Sequence, residues 1–291
     1  MKIYTNIAGV TFSFSTEDGA PFTEESVAFR GFACAHVSEA DYDIVGRKVS
    51  VPHVIDKTIG HLGEGENIGH TWHIAISDNE EIITVVFDVS PCYSTARLVL
   101  KGTTGVMELC PKTLSCRQEM DAYIFPLFNL MLNRTLHRRN GILVHSSVVD
   151  DGGKGYLFTA VSGTGKSTMA RIWQSCGATI VNDDMIVLKT ESEGIVTASN
   201  IAMPYYVSSP ATVALKGTFL ISQSKSNFIR PLTGAKAVLR LLSNTIYHPI
   251  NKEVASRHLN IVSAIASCVP IFELGFKPDA DIVDDIRNLN L

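Results

Sequence analysis

A chain of 291 residues, 45% hydrophobic and 19% charged, can bury a substantial core in one large domain or two smaller ones and is not disordered. Its net charge of −4 gives no general electrostatic reason to bind nucleic acid. No apolar run approaches the ~20 residues of a membrane span. The opening segment is strand-like rather than a continuous apolar secretory region. The six scattered cysteines, Cys34, Cys92, Cys110, Cys116, Cys176 and Cys268, form no C-x-x-C pair. A cytoplasmic protein with reduced thiols and no zinc site is therefore expected, with no membrane and no nucleic acid as partner.

Residues up to about 115 read as β-rich. Gly9 to Phe14 alternates like a strand, and the runs 82–89 and 96–100 are rich in β-branched residues and punctuated by Gly, Asp, Asn and Pro. Gly63-Glu64-Gly65-Glu66-Asn67-Ile68-Gly69 has the wrong glycine spacing for a dinucleotide fingerprint, and its acids would repel phosphate, so it reads as a loop. His70 and His73 would face opposite sides of a strand and share no metal. Residues 118–138 carry Met120, Ile124, Leu127, Phe128, Met131 and Leu132 at helical spacing, with Pro126 as a kink and Gly141 as the stop. Strands are then expected at 142–149, 155–159, 178–181, 185–188, 217–222 and 271–274, and helices at 166–176, 233–246, 251–267 and 279–289. This alternation argues for an α/β half. The expected division is a β-rich region, 1–117, that recognises substrate, and a nucleotide-binding domain, 118–291.

Between the strand at 155–159 and the helix at 166–176 lies Ser162-Gly163-Thr164-Gly165-Lys166-Ser167-Thr168. A phosphate cradle needs glycines for unusual dihedrals and close backbone approach, and a helix N-terminus aimed at the anion. It also needs a lysine for the outer phosphates and a hydroxyl for magnesium. Each is present. The pattern G-x-x-x-x-G-K-[ST] fails only at its first position, Ala160, where a positive φ would be strained. ATP or another nucleoside triphosphate, with Mg2+, is the expected ligand.

One helix and one strand downstream stand Asp183 and Asp184, at a strand end where ligands of α/β sheets sit. One such carboxylate can hold magnesium, and the other can orient or deprotonate a hydroxyl. His145, on the strand that hairpins into the loop, could support that pair or be a packed core residue.

Three features coincide with one family. The separation of His145 from Ala160, the distance from Lys166 to Asp183-Asp184, and the run from Val269-Pro270 to Pro278-Asp279 resemble the HPr kinase-related proteins. That family's fold is shared with ATP-dependent phosphoenolpyruvate carboxykinase. The resemblance covers about 140–290. It implies a carboxykinase-like P-loop kinase domain with a mixed sheet, preceded by the β-rich region. By resemblance, Lys166 would hold the β and γ phosphates, and Ser167 and Asp184 would hold magnesium. Asp183 would act as the base on the acceptor, helped by His145. The implied partner is a small protein or peptide carrying an acceptor serine; the sequence itself leaves a homo-oligomer open. The chain is not a true HPr kinase: Thr168 stands where those enzymes carry an acid, and their Pro-Gly-Arg-Asn signature is absent. With Ala160, the altered segment 200–206 leaves a non-catalytic nucleotide-binding module as the rival, and a small-molecule hydroxyl as a second acceptor class. Arg134, Arg138 and Arg139 are candidates to meet a phosphate or acidic peptide, or else fit a cation-favouring helix end. Arg230, Lys236, Arg240, Lys252 and Arg257 are candidates for a transition-state cation.

Overall fold

The computed structural model describes residues 2–19, 27–55, 61–67, 69–113, 120–203, 208–248, 251–289 and 291, with 27, 28 and 61–67 in backbone only. They form two units. The first comprises Met1–Thr135, Ala202–Ser209 and His248–Lys252, and the second Leu136–Ile201, Pro210–Tyr247 and Glu253–Leu291. Among the described residues no helix is long and apolar enough to cross a membrane.

The first unit is strand-rich. Strands β1 (Lys2–Ile7), β2 (Val10–Thr16), β3 (Tyr42–Lys48), β4 (His61–Asn67), β5 (His70–Ser77), β6 (Glu80–Phe87), β7 (Tyr93–Lys101) and β8 (Thr104–Pro111) are joined by a helical turn α1 (Val27–Arg30) between β2 and β3. They make one mixed sheet in the order β1-β2-β3-β8-β7-β6-β5-β4, parallel at β2–β3 and β3–β8. Alternation sends Phe12, Phe14 and Ile44 to a core where Phe128 meets Phe12 edge-on at 5.4 Å. The expected loop at 63–69 runs as strand through Asn67, and Ile68 lies outside the described residues. Its glycines and acids are poor strand formers, but pairing with β5 supplies the ladder that composition withholds.

The helix expected over 118–138 is shorter. Residues 118 and 119 lie outside the described residues, 120–126 is not helical, and α2 spans Leu127–Arg138. Proline has no N–H to donate, so Pro126 sits just before the helix, where its carbonyl accepts from the Leu130 N–H at 2.9 Å, rather than kinking it. The stop is Asn140, which takes φ +58°, and not Gly141, which opens the next strand.

The second unit holds β9 (Gly141–Asp151), β10 (Lys154–Thr159), α3 (Lys166–Ser175), β11 (Thr179–Asn182), β12 (Met185–Thr190), β13 (Val196–Asn200), β14 (Thr212–Gln223), β15 (Phe228–Leu232), α4 (Gly234–Leu242), β16 (Thr245–Ile246), α5 (Lys252–Cys268), β17 (Ile271–Phe276) and α6 (Asp281–Arg287). Its sheet is mixed: β10, β14 and β17 run parallel at the centre, and β9, β12, β13 and β15 pair antiparallel. Period-2 alternation covers both faces. Val148, Leu157 and Leu220 pack with Leu241, Val262 and Ile265 of α4 and α5. Val149, Phe158 and Phe219 pack with Met169 and Trp173 of α3 and Val283 and Ile286 of α6. The helix expected at 233–246 ends at Leu242, where Asn244 Nδ2 donates to the Arg240 carbonyl at 2.9 Å. Thr245 and Ile246 then pair with Val144 and Leu143, because the unpaired edge of β9 outweighs a continuing helical pattern.

β9 changes partner midway. Along one edge it pairs with β12 (Gly141 to His145) and then with β11 (Val148 to Asp150), and along the other with β16 (Leu143 and Val144) and then with β10 (Ser146 to Asp151). The switch falls between His145 and Ser146, at the mouth of the glycine loop.

Candidate functional site

The site is built on that switch. β10 ends at Thr159, whose hydroxyl donates to the His145 carbonyl at 2.9 Å, while the His145 N–H donates to the Asn244 carbonyl at 3.1 Å. On the edge where β16 gives way to β10, the backbone of His145 has no ladder partner, and these two bonds satisfy it.

The loop 160–165 leads straight into α3. Its left-handed residues are Gly163 (φ +79°) and Gly165 (φ +116°). Ala160 is not left-handed, which corrects the expectation of strain at the first position; its methyl packs against the Phe158–Trp173–Phe219 cluster. A Cβ at Gly163 would meet nothing within 4 Å, so the loop is open there. A Cβ at Gly165 would lie 3.0 Å from Phe276 Cζ, so glycine lets the loop pack on β17. The helix starts with the Met169 N–H on the Gly165 carbonyl at 2.9 Å.

Lys166 is buried at the first turn, and its Nζ donates to the carbonyls of Ala160 at 3.0 Å and Val161 at 3.4 Å. Burial lowers its pKa, and the Asp184 carboxylate opposes that shift. Ser162 and Thr168 are exposed, Thr164 Oγ1 donates to the Val161 carbonyl at 2.9 Å, and Ser167 is half-buried with no protein partner for its hydroxyl among the described residues.

β11 ends at the buried Asn182, followed by a bend at Asp183 and Asp184. Asn182 Oδ1 accepts from the Asp184 N–H at 2.9 Å, and the Asp184 carbonyl accepts from the Ser146 N–H at 3.0 Å. This side-chain turn is the usual work of asparagine. His145 Nε2 lies 3.7 Å from Asp184 Oδ1, with the two side chains 39% and 41% exposed. Burial first, then Lys166, lowers the His145 pKa, and Asp184 partly offsets them. The imidazole is thus neutral near pH 7 and able to accept a proton.

Of the expected residues, His145, Lys166 and Asp184 come within electrostatic reach of one another. The carboxylate beside His145 is Asp184. Asp183 is half-buried and makes no hydrogen bond or ion pair among the described residues. Four positions were not anticipated: Thr159, Asn182, Asn244 and Phe276. Only Asn182 had a local signal, as an Asn opening a turn. Of the candidate cations, Arg134 is committed to a buried pair with Glu81, with Nε 2.6 Å from Oε1. Lys236 pairs with Glu273 at 3.2 Å, and Arg230 lies over the Phe228 ring at 4.6 Å. Met203 of the altered segment is buried, but 204–207 lie outside the described residues. Among the described residues no cluster of three or more His, Cys, Asp or Glu could hold a metal by itself. Five cysteines are free, and Cys116 lies outside the described residues.

A family model described as SynChlorMet cassette protein ScmC matches residues 115–274, a span containing His145, the loop and both aspartates. No curated protein matches. Among solved structures, the Hpr(Ser) kinase/phosphatase from Coxiella burnetii aligns at 12% identity and a TM-score of 0.31, over 51% of this chain and 95% of that one.

Proposed function

This chain belongs to the family of the SynChlorMet cassette protein ScmC, and we propose that it is a Mg-ATP-dependent kinase that transfers the γ-phosphate to a hydroxyl. The observation that carries this reading is Lys166, set at the first turn of α3 behind two left-handed glycines and facing the His145–Asp184 pair.

The residues present fit a triphosphate. Backbone N–H groups at the helix N-terminus would face an anion, and the open space at Gly163 would let phosphate oxygens approach. Lys166, tethered only to two carbonyls, can turn its ammonium to the outer phosphates. The Ser167 hydroxyl and the Asp184 carboxylate would hold magnesium, with phosphates and water completing an oxygen shell. When bound, the metal neutralises charge on the phosphates. His145 would orient Asp184. Asp183, with no protein partner, would accept the acceptor's proton as its oxygen bonds to the γ-phosphorus and the bond to ADP breaks. The resemblance set out above supports a serine of a small protein or peptide as acceptor, with a small-molecule hydroxyl as the alternative substrate.

The test is incubation of the full chain with γ-labelled ATP, magnesium and the small proteins and peptides encoded beside its gene. Label on a serine supports the kinase. Tight ATP binding with no transfer to any acceptor would leave a nucleotide-binding module, and absence of ATP binding would remove the loop assignment itself.

A further inference from the structure

A cavity of about 790 Å³ lies in the unit that holds the glycine loop, lined by Asn140 after α2, Thr190 at the end of β12, and one face of α5. Since Met185 pairs with His145 whereas Lys189 pairs with Gly141, it sits about 13 Å further along the strands, at the opposite end from the loop. Its size is that of a small-molecule site.

Glu253, Ser256, Arg257 and Asn260 of α5 recur at helical spacing and share the face that lines the cavity. Glu253 and Arg257 are one turn apart, a spacing that normally forms an ion pair, yet no ion pair joins them or engages either elsewhere among the described residues. The side chains of Asn140, Ser256 and Asn260 likewise have no protein hydrogen bond among the described residues, and Thr190 Oγ1 is shielded from solvent without a partner. Asn140 holds its left-handed φ of +58° at the rim. The floor is the buried Ile261. Six polar side chains, one of each charge, thus ring the cavity without a protein partner among the described residues, five of them open to solvent and available to a ligand.

The geometry points to a binding site for a small zwitterion of the amino-acid class with an apolar side chain, either a free amino acid or a short peptide. Arg257 would take the carboxylate through its planar donors, and Glu253 the ammonium. The amides would bridge them, and the apolar side chain would lie on Ile261. The site is independent of the kinase reading.

Ligand-observed NMR and calorimetry on the full chain test it, with the twenty free amino acids and a set of Gly-X dipeptides as probes. An apolar member such as leucine or Gly-Leu is expected to bind with a Kd of roughly 1 mM or tighter. Removing either charge, as in N-acetyl-leucine or leucinamide, should weaken binding by about tenfold or more, and so should Arg257→Ala and Glu253→Ala. Both residues are exposed, so the variants should fold, which matching thermal melts would show. Which arm binds, free amino acid or dipeptide, identifies the source. The inference is overturned if no probe gives a saturable signal at about 10 mM, if the charge-blocked analogues bind as well, or if both variants keep full affinity.

Discussion

Lys166 holds its ammonium on two carbonyls of its own loop, so nucleotide would exchange neutral partners for charged ones. Charged hydrogen bonds contribute about 1.5–3 kcal/mol, so Lys166→Ala should weaken Mg-ATP binding by roughly ten- to a hundredfold. Calorimetry checks this, and unchanged affinity would end the triphosphate reading. The aspartates should separate. Asp183→Asn should spare nucleotide binding while lowering turnover by ~10²–10⁴-fold, as loss of a general base does. Asp184→Asn should instead shift the magnesium dependence and perturb the neighbouring His145. Equal, normal behaviour of both variants would dismiss the assignment. The residue types at this site were legible because the loop and its lysine are contiguous in sequence and the paired acids follow one helix and one strand later. The His145–Asp184 contact was not, since it depends on a change of strand partner that no local pattern encodes. Ala160 illustrates the converse: the motif's first glycine suggested a left-handed residue, but the chain turns without one. Ala160→Gly should therefore leave ATP affinity within about twofold of wild type.

The strand–loop–helix element owes its shape to two glycines in different circumstances. Both have positive φ, which costs an alanine about 1–2 kcal/mol. At Gly163 that is the only cost, because the added methyl meets open space. At Gly165 the methyl also presses on Phe276, and overpacking adds about 1–3 kcal/mol. Gly165→Ala should thus destabilise the fold clearly more than Gly163→Ala in urea unfolding, and the reverse order would refute the packing account. Most strands and helices of this half were readable because burial on both faces of the sheet makes apolar runs obvious. Two departures, one in each unit, share one cause. Thr245 and Ile246 continue a helical pattern but pair with β9. Residues 63–67 lack strand composition but are paired by β5. Partners distant in sequence override local preference.

At the scale of the molecule, length and composition left one large domain or two smaller ones open, and the chain forms two units. Length and composition gave no sign that the first unit takes back Ala202–Ser209 and His248–Lys252 from the later chain, because such returns are set by tertiary contacts. Nor did they show how histidines are stored. His258 is buried in the second unit, stacked on Tyr247 at 4.1 Å and His137 at 5.4 Å, with Nε2 2.8 Å from Thr245 Oγ1 and Nδ1 without a partner. Burial, with His137 nearby, pushes its pKa down from 6.5 to about 4. The unfolded chain then binds a proton that the folded chain refuses across this window. The stability held above pH 6.5 is therefore lost progressively as pH falls towards 4. Between pH 7.5 and 5 the loss attributable to this ring is about 2 kcal/mol. His53, His70 and His145 are lowered too, each chiefly by burial, so these rings contribute a slope of the same sign. Urea titrations at the two pH values should show wild type losing more stability than His258→Gln. The variant starts lower because it gives up the stacking, but its pH dependence should be shallower by about that amount. Parallel pH profiles for the two proteins would mean that the buried imidazole is protonated in the folded state and that burial does not govern its titration.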